Sequence, residues 1–110
     1  MVELQEFVAA LKEERDTLLA NYTAAEPSTY VGEQLRQAAL TATQRKHVIA
    51  ALDAALTDTF YTILLGLDGA GAFGGLMQQS FTIADEDGHV VSSGNGELEA
   101  LAFELFHAGS

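Results

Sequence analysis

The sequence predicts an α+β domain, mostly helical, with about four helices and one β-hairpin inserted before the C-terminal helix. Three observations lead there. Apolar residues recur at helical spacing through the first two-thirds of the chain. The period then switches to alternation around Phe81 and Ile83. Finally, a helical pattern returns after a glycine-rich turn ending at Gly96.

The first helix is expected over residues 2–22. Leu4, Phe7, Val8, Leu11, Leu18, Leu19 and Tyr22 share one face, and Glu13, Glu14, Arg15 and Asp16 read as a solvated stretch between them. Pro27 stops any continuation, because the residue before a proline avoids helical backbone. A second helix is expected over 29–40, capped by Ser28 or Thr29 and carrying Val31, Leu35, Ala38 and Ala39. Thr41 and Gln44 have the spacing of a capping box and open a third helix over 43–66. Val48, Ile49, Leu52, Leu56, Phe60, Ile63, Leu64 and Leu67 form its apolar stripe. The back of this helix (Ala50, Ala54, Thr57, Tyr61 and Leu65) is only weakly polar. A helix apolar nearly all round is normally buried, so this one is expected at the centre, covered by other elements or by a second subunit.

The hairpin is expected over 80–92, turning at Asp85-Glu86-Asp87-Gly88, where Asp-Gly supplies the positive-φ position. A lone hairpin is marginal in water, so it must pack on the helices or pair with another copy. Ser93-Gly94-Asn95-Gly96 forms the next turn, and the last helix is expected over 97–107. Leu98, Leu101, Ala102 and Leu105 make its core face, and Gly109 is placed as its C-terminal cap.

The chain has 110 residues, enough for a single domain, 1–110, with one real core. It has no Cys, which excludes disulfides and thiolate metal sites and fits a cytoplasmic protein. The N-terminus is acidic and amphipathic, unlike a secretory signal. Residues 48–67 are largely apolar, but Asp53 and Asp58 would each cost about 2.5–3.5 kcal/mol near a bilayer centre. A buried helix is expected there, and no membrane partner.

Charge is distributed unevenly. Lys46 is the last lysine or arginine. Beyond it lie Asp53, Asp58, Asp68, Asp85, Glu86, Asp87, Glu97, Glu99 and Glu104, which carry −9 of the formal −11. Phosphate backbones are held by Lys and Arg, so direct nucleic-acid binding is disfavoured. A basic protein remains a suitable partner. The surface expected to meet it comprises Asp85, Glu86 and Asp87 of the hairpin turn with Glu97 and Glu104 of the last helix.

Motifs with specific chemistry fail in context. Gly69-Ala70-Gly71-Ala72-Phe73-Gly74 has the G-x-G-x-x-G spacing, but it follows a helix and leaves no room for a crossover helix before Phe81. Its remaining functional reading is a ligand loop, with Gly69, Gly71, Phe73 and Gly74 allowing close approach and Gln78 and Gln79 supplying amides. Placing Gly88 at the glycine of a calcium-binding EF-hand loop puts Ile83 and Gly94 where carboxylates are required. Glu104 and His107 could hold a metal only with ligands from another helix, and no second Glu-x-x-His exists. No metal or cofactor is therefore expected. No nucleophile motif is present, and the reading leans away from an enzyme.

The sequence thus points to a small acidic protein that acts by association, as a homodimeric interaction or regulatory module for a basic partner. A ligand-binding protein or minor enzyme using the loop at 69–79, and a purely structural homodimer, are the alternatives. The homodimer is expected to form through the hairpin and the back of the third helix.

Overall fold

A computed structural model describes residues 1–108. Four helices and a two-stranded antiparallel hairpin follow one another in the expected order. Helix α1 spans Leu4–Tyr22, and the Glu6 carboxylate accepts the Glu3 N–H at 3.2 Å to close its start. Helix α2 spans Tyr30–Gln37, with the Thr29 hydroxyl accepting the Gly32 N–H at 3.0 Å. It stops short of Leu40 because Ala39 turns to φ 51°, in the left-handed region.

Helix α3 spans Ala42–Leu67 and opens on the reciprocal bonds of a capping box. The Thr41 hydroxyl accepts the Gln44 N–H at 3.1 Å, and the Gln44 side chain accepts the Thr41 N–H at 2.9 Å. Strands β1 (Ile83–Ala84) and β2 (Val90–Ser92) pair Ile83 with Ser92 and Ala84 with Val90, with a bulge between them. One Asp85 carboxylate oxygen accepts the N–H groups of Asp87 and His89 at 3.0 and 2.9 Å, while Gly88 takes φ 82°. Helix α4 spans Glu97–Phe103 and continues as a π-helical turn over Glu104–Ala108. The cap expected at Gly109 lies outside the described residues.

Helix α1 runs antiparallel to α3. The Arg45 guanidinium donates to the Thr23 carbonyl at 3.0 Å, and that of Arg15 donates to the Asp53 carbonyl at 2.9 Å. Helix α4 then lies across both, and Val8, Leu64, Leu98, Ala102 and Phe106 close into one core. Phe60 stacks on Phe106 with ring centroids 6.0 Å apart. The segment after α3 folds back onto it. The Phe73 ring occupies the space where a side chain at residue 66 would stand, which is why Gly66 is needed there.

Two expectations are corrected. Helix α3 is not enclosed: of its residues only Leu64 and Gly66 are buried. The chain offers α1, a short α2 and a short α4 to cover a helix of 26 residues, and they do not reach round it. Arg15 does not belong to a solvated stretch. It is 6 % exposed and ion-paired with Asp53 of α3 and, at 2.6 Å, with Asp16. Burial works to raise the Asp16 pKa, but the hydrogen bonds and charges of Lys12 and Arg15 outweigh it and hold the carboxyl below its ordinary value.

The molecule is long for its mass. Its radius of gyration is 16.5 Å, against about 13 Å for a compact chain of this length. Helix α3 is also long and apolar enough to cross a membrane by length and composition alone. Asp53 and Asp58 interrupt its middle, and Asp53 is held by α1 through Arg15.

Candidate functional site: an uncovered apolar face on α1 and α3

Helix α4 covers α1 and α3 at Val8 and Leu64. Next to that core, with the buried Leu64 shared by both, Phe7 and Leu11 of α1 and Thr59, Phe60, Ile63 and Leu67 of α3 line an open groove of ≈ 270 Å³. Thr59 is the one hydroxyl among these residues, and none is charged. Ile63 is 48 % exposed. Stepping back along α3 by three or four residues from Thr59 reaches Leu56, Leu52 and Val48, which lie on the same line of the helix. These three are only half-buried. The groove thus lies in line with partly buried apolar residues further along α3.

A second cavity of ≈ 240 Å³ lies at the opposite end of α3, between Tyr22, Pro27, Gly32, Arg36 and Arg45. Its two guanidinium groups are already engaged. Arg36 pairs with Glu33 at 2.6 Å, and Arg45 holds the Thr23 carbonyl. Neither cavity is lined by any residue of 69–79.

That loop is shaped by its own contacts. Phe73 packs on Phe81 with centroids 5.9 Å apart, and the Gln78 amide donates to the Gly69 carbonyl at 2.7 Å. Gly71 and Gly74 face open space, Gln79 is exposed, and Leu76 and Met77 point largely into solvent.

The acidic residues divide. Glu86, Asp87, Glu97 and Glu104 are exposed. Glu86, Asp87 and Glu97 form no ion pair among the described residues. Asp85 is committed to the hairpin turn. No group of three or more metal-ligating side chains occurs among the described residues.

Charge also separates along α3. Arg36, Arg45 and Lys46, three of the five bases, lie at its N-terminal end with α2, where Arg36 is paired with Glu33 and leaves Arg45 and Lys46 as the bases with no ion-pair partner among the described residues. Glu3 and Glu6 at the start of α1, and Glu97 and Glu99 at the start of α4, cluster at its C-terminal end. The α4 residues are fixed there by Asp68, the residue that ends α3. Its buried carboxylate accepts the Glu99 N–H at 2.9 Å and the Gly96 N–H at 3.3 Å.

Sequence reasoning saw Phe7, Leu11, Phe60, Ile63 and Leu67 as apolar positions but not as an open face. The signal that could have exposed it was an imbalance between one long helix, apolar on nearly every side, and too little chain to cover it. No protein-family model, curated protein or solved structure matches this chain.

Proposed function

We propose that this protein is an association module that docks another polypeptide on the α1–α3 face. The single observation that carries this reading is the open groove between Phe7, Leu11, Ile63 and Leu67, continuous with the half-buried stripe of α3. Apolar grooves that follow a helix suit an amphipathic helical partner, whose anchors recur at the same spacing. Soluble monomers rarely leave such a strip uncovered.

Ile63→Glu tests the reading. Its side chain is half exposed, so the charge is tolerated in the isolated fold, but it must be desolvated in any complex. The wild-type chain is expected to sediment above its own 11.7 kDa, alone or with a companion. The variant is expected to lose at least about tenfold in affinity, roughly 1.4 kcal/mol, with unchanged helical circular dichroism. A wild-type chain that sediments as a monomer and binds no anilinonaphthalene sulfonate, a dye for open apolar surface, overturns the reading.

A second contact is favoured by the exposed carboxylates of Glu86, Asp87 and Glu97, which have no cationic neighbour in ion-pair range among the described residues. In this reading they steer a basic partner, with Glu104 alongside. Binding of a lysine-rich peptide is expected to weaken steeply between low and physiological salt. A Glu86→Lys, Asp87→Lys variant is expected to lose about tenfold at low salt. Equal binding by wild type and variant would sink this reading.

A further inference from the structure

The surface of the chain is larger than its mass requires. It exposes 7017 Å², whereas a compact protein of this mass exposes about 5,900 Å². The excess is about 1,100 Å². A standard protein–protein interface removes about 800 Å² from each partner. The surplus is therefore of the size that one partner would cover. Part of that surface is the partly buried strip along the 26-residue α3, about 39 Å long, on which Ile63 is half exposed.

The occupant must match that strip. It needs an apolar line of comparable length and a charge pattern that tolerates this chain's own. Helix α3 has such a line in Val48, Leu52, Leu56, Ile63 and Leu67. The charge separation fixes the direction. Two copies laid parallel would stack Arg45 and Lys46 on themselves and Glu3 and Glu6 on themselves. Laid antiparallel, the basic end of each copy meets the acidic end of the other. In a pair carrying a large negative charge, that arrangement is the one electrostatics favours.

We propose that the α1–α3 face is the isologous interface of a homodimer, with two α3 helices antiparallel about a twofold axis near Leu56. The proposal rests on the association reading and names its partner as a second copy of this chain. It moves the interface from the hairpin and the back of α3 to the front stripe of α3. A twofold interface places the same patch on both subunits. Residues near the axis approach their own counterparts, and residues towards the ends lie far from theirs.

The absence of cysteine makes the geometry measurable. His47→Cys and Ala55→Cys alter exposed positions, and each accepts one nitroxide label on the full chain. Dipolar spectroscopy is expected to give an Ala55 pair closer than about 20 Å and a His47 pair about 27 Å apart, from the helical rise on either side of the axis. Adding Ile63→Glu is expected to abolish both distances. Short distances for both labels indicate a parallel pair and overturn the proposal. Distances that survive Ile63→Glu place the interface elsewhere and also overturn it. A chain that shows no intermolecular distance, yet binds the apolar dye or floats with phosphatidylcholine vesicles, has its open face and a different occupant. That outcome refutes the second copy alone. No distance and no dye binding refutes the association reading with it.

Discussion

Replacing Leu98 with alanine is expected to destabilise the fold by about 3–4 kcal/mol, the range for a fully buried leucine whose cavity collapses only in part. Leu98 is 0 % exposed and sits in the first turn of α4, where α1 and α3 meet it through Val8 and Leu64. Among the described residues six hydrophobic ones are buried: Val8, Leu64, Val91, Leu98, Ala102 and Phe106. In a domain whose whole stability is about 5–15 kcal/mol, one such loss removes a large fraction. Urea denaturation at fixed protein concentration, which holds any self-association constant, should show the midpoint falling with little change in slope. Leu76→Ala is the control. Leu76 is 59 % exposed on the loop after α3, and its loss should stay within about 0.5 kcal/mol. Equal midpoints for the two variants would show that the helical core is not where stability resides.

What the sequence reveals here depends on how far apart the interacting residues are. The start of α3 is legible because Thr41 and Gln44 cap each other across three residues. The hairpin turn is legible for the same reason, since Asp85 binds the backbone of Asp87 and His89 while Gly88 supplies the bend. Arg15 is illegible. Its neighbours Glu13, Glu14 and Asp16 read as solvent-facing, and only the packing of α1 on α3 brings Asp53 to it.

The covering of α3 fails for a different reason. Periodicity shows which residues are apolar, and it also shows that a helix apolar on both faces wants burial. It does not say whether the same chain supplies the cover. Here α2 stops at Gln37, where Ala39 adopts a left-handed backbone, and α4 reaches one side of the α1–α3 pair only. The unsatisfied demand for burial becomes readable once the covering elements have been counted. The acidic C-terminal composition was visible at once, but its roles were not. Asp85 and Asp68 serve the fold, whereas Glu86, Asp87 and Glu97 remain available at the surface.

Asp68→Ala is expected to cost about 2–3 kcal/mol, because it removes a buried, charged acceptor from the Gly96 and Glu99 N–H groups. Helix α4 is preceded at its N-cap position by Gly96, which has φ 95° and no side chain with which to cap the helix. Asn95 takes the Glu97 N–H at 3.2 Å, but the Glu99 N–H is reached by Asp68 from the far end of α3. The Asp68 carboxylate thus does from a distance what an N-cap residue does locally, and its charge also suits the positive end of a helix. The same residue ends α3 and bridges to Ser80, so it joins the central helix, the returning segment and α4. Asp68→Asn separates geometry from charge. An amide keeps one oxygen for the Glu99 N–H but turns an N–H₂ towards that of Gly96, so about half the loss should remain. The readouts are urea denaturation and hydrogen exchange, with protection lost first at the Gly96 and Glu99 amides. If Asp68→Ala unfolds at the wild-type midpoint with those amides still protected, α4 is held by its core face alone, through Leu98, Ala102 and Phe106.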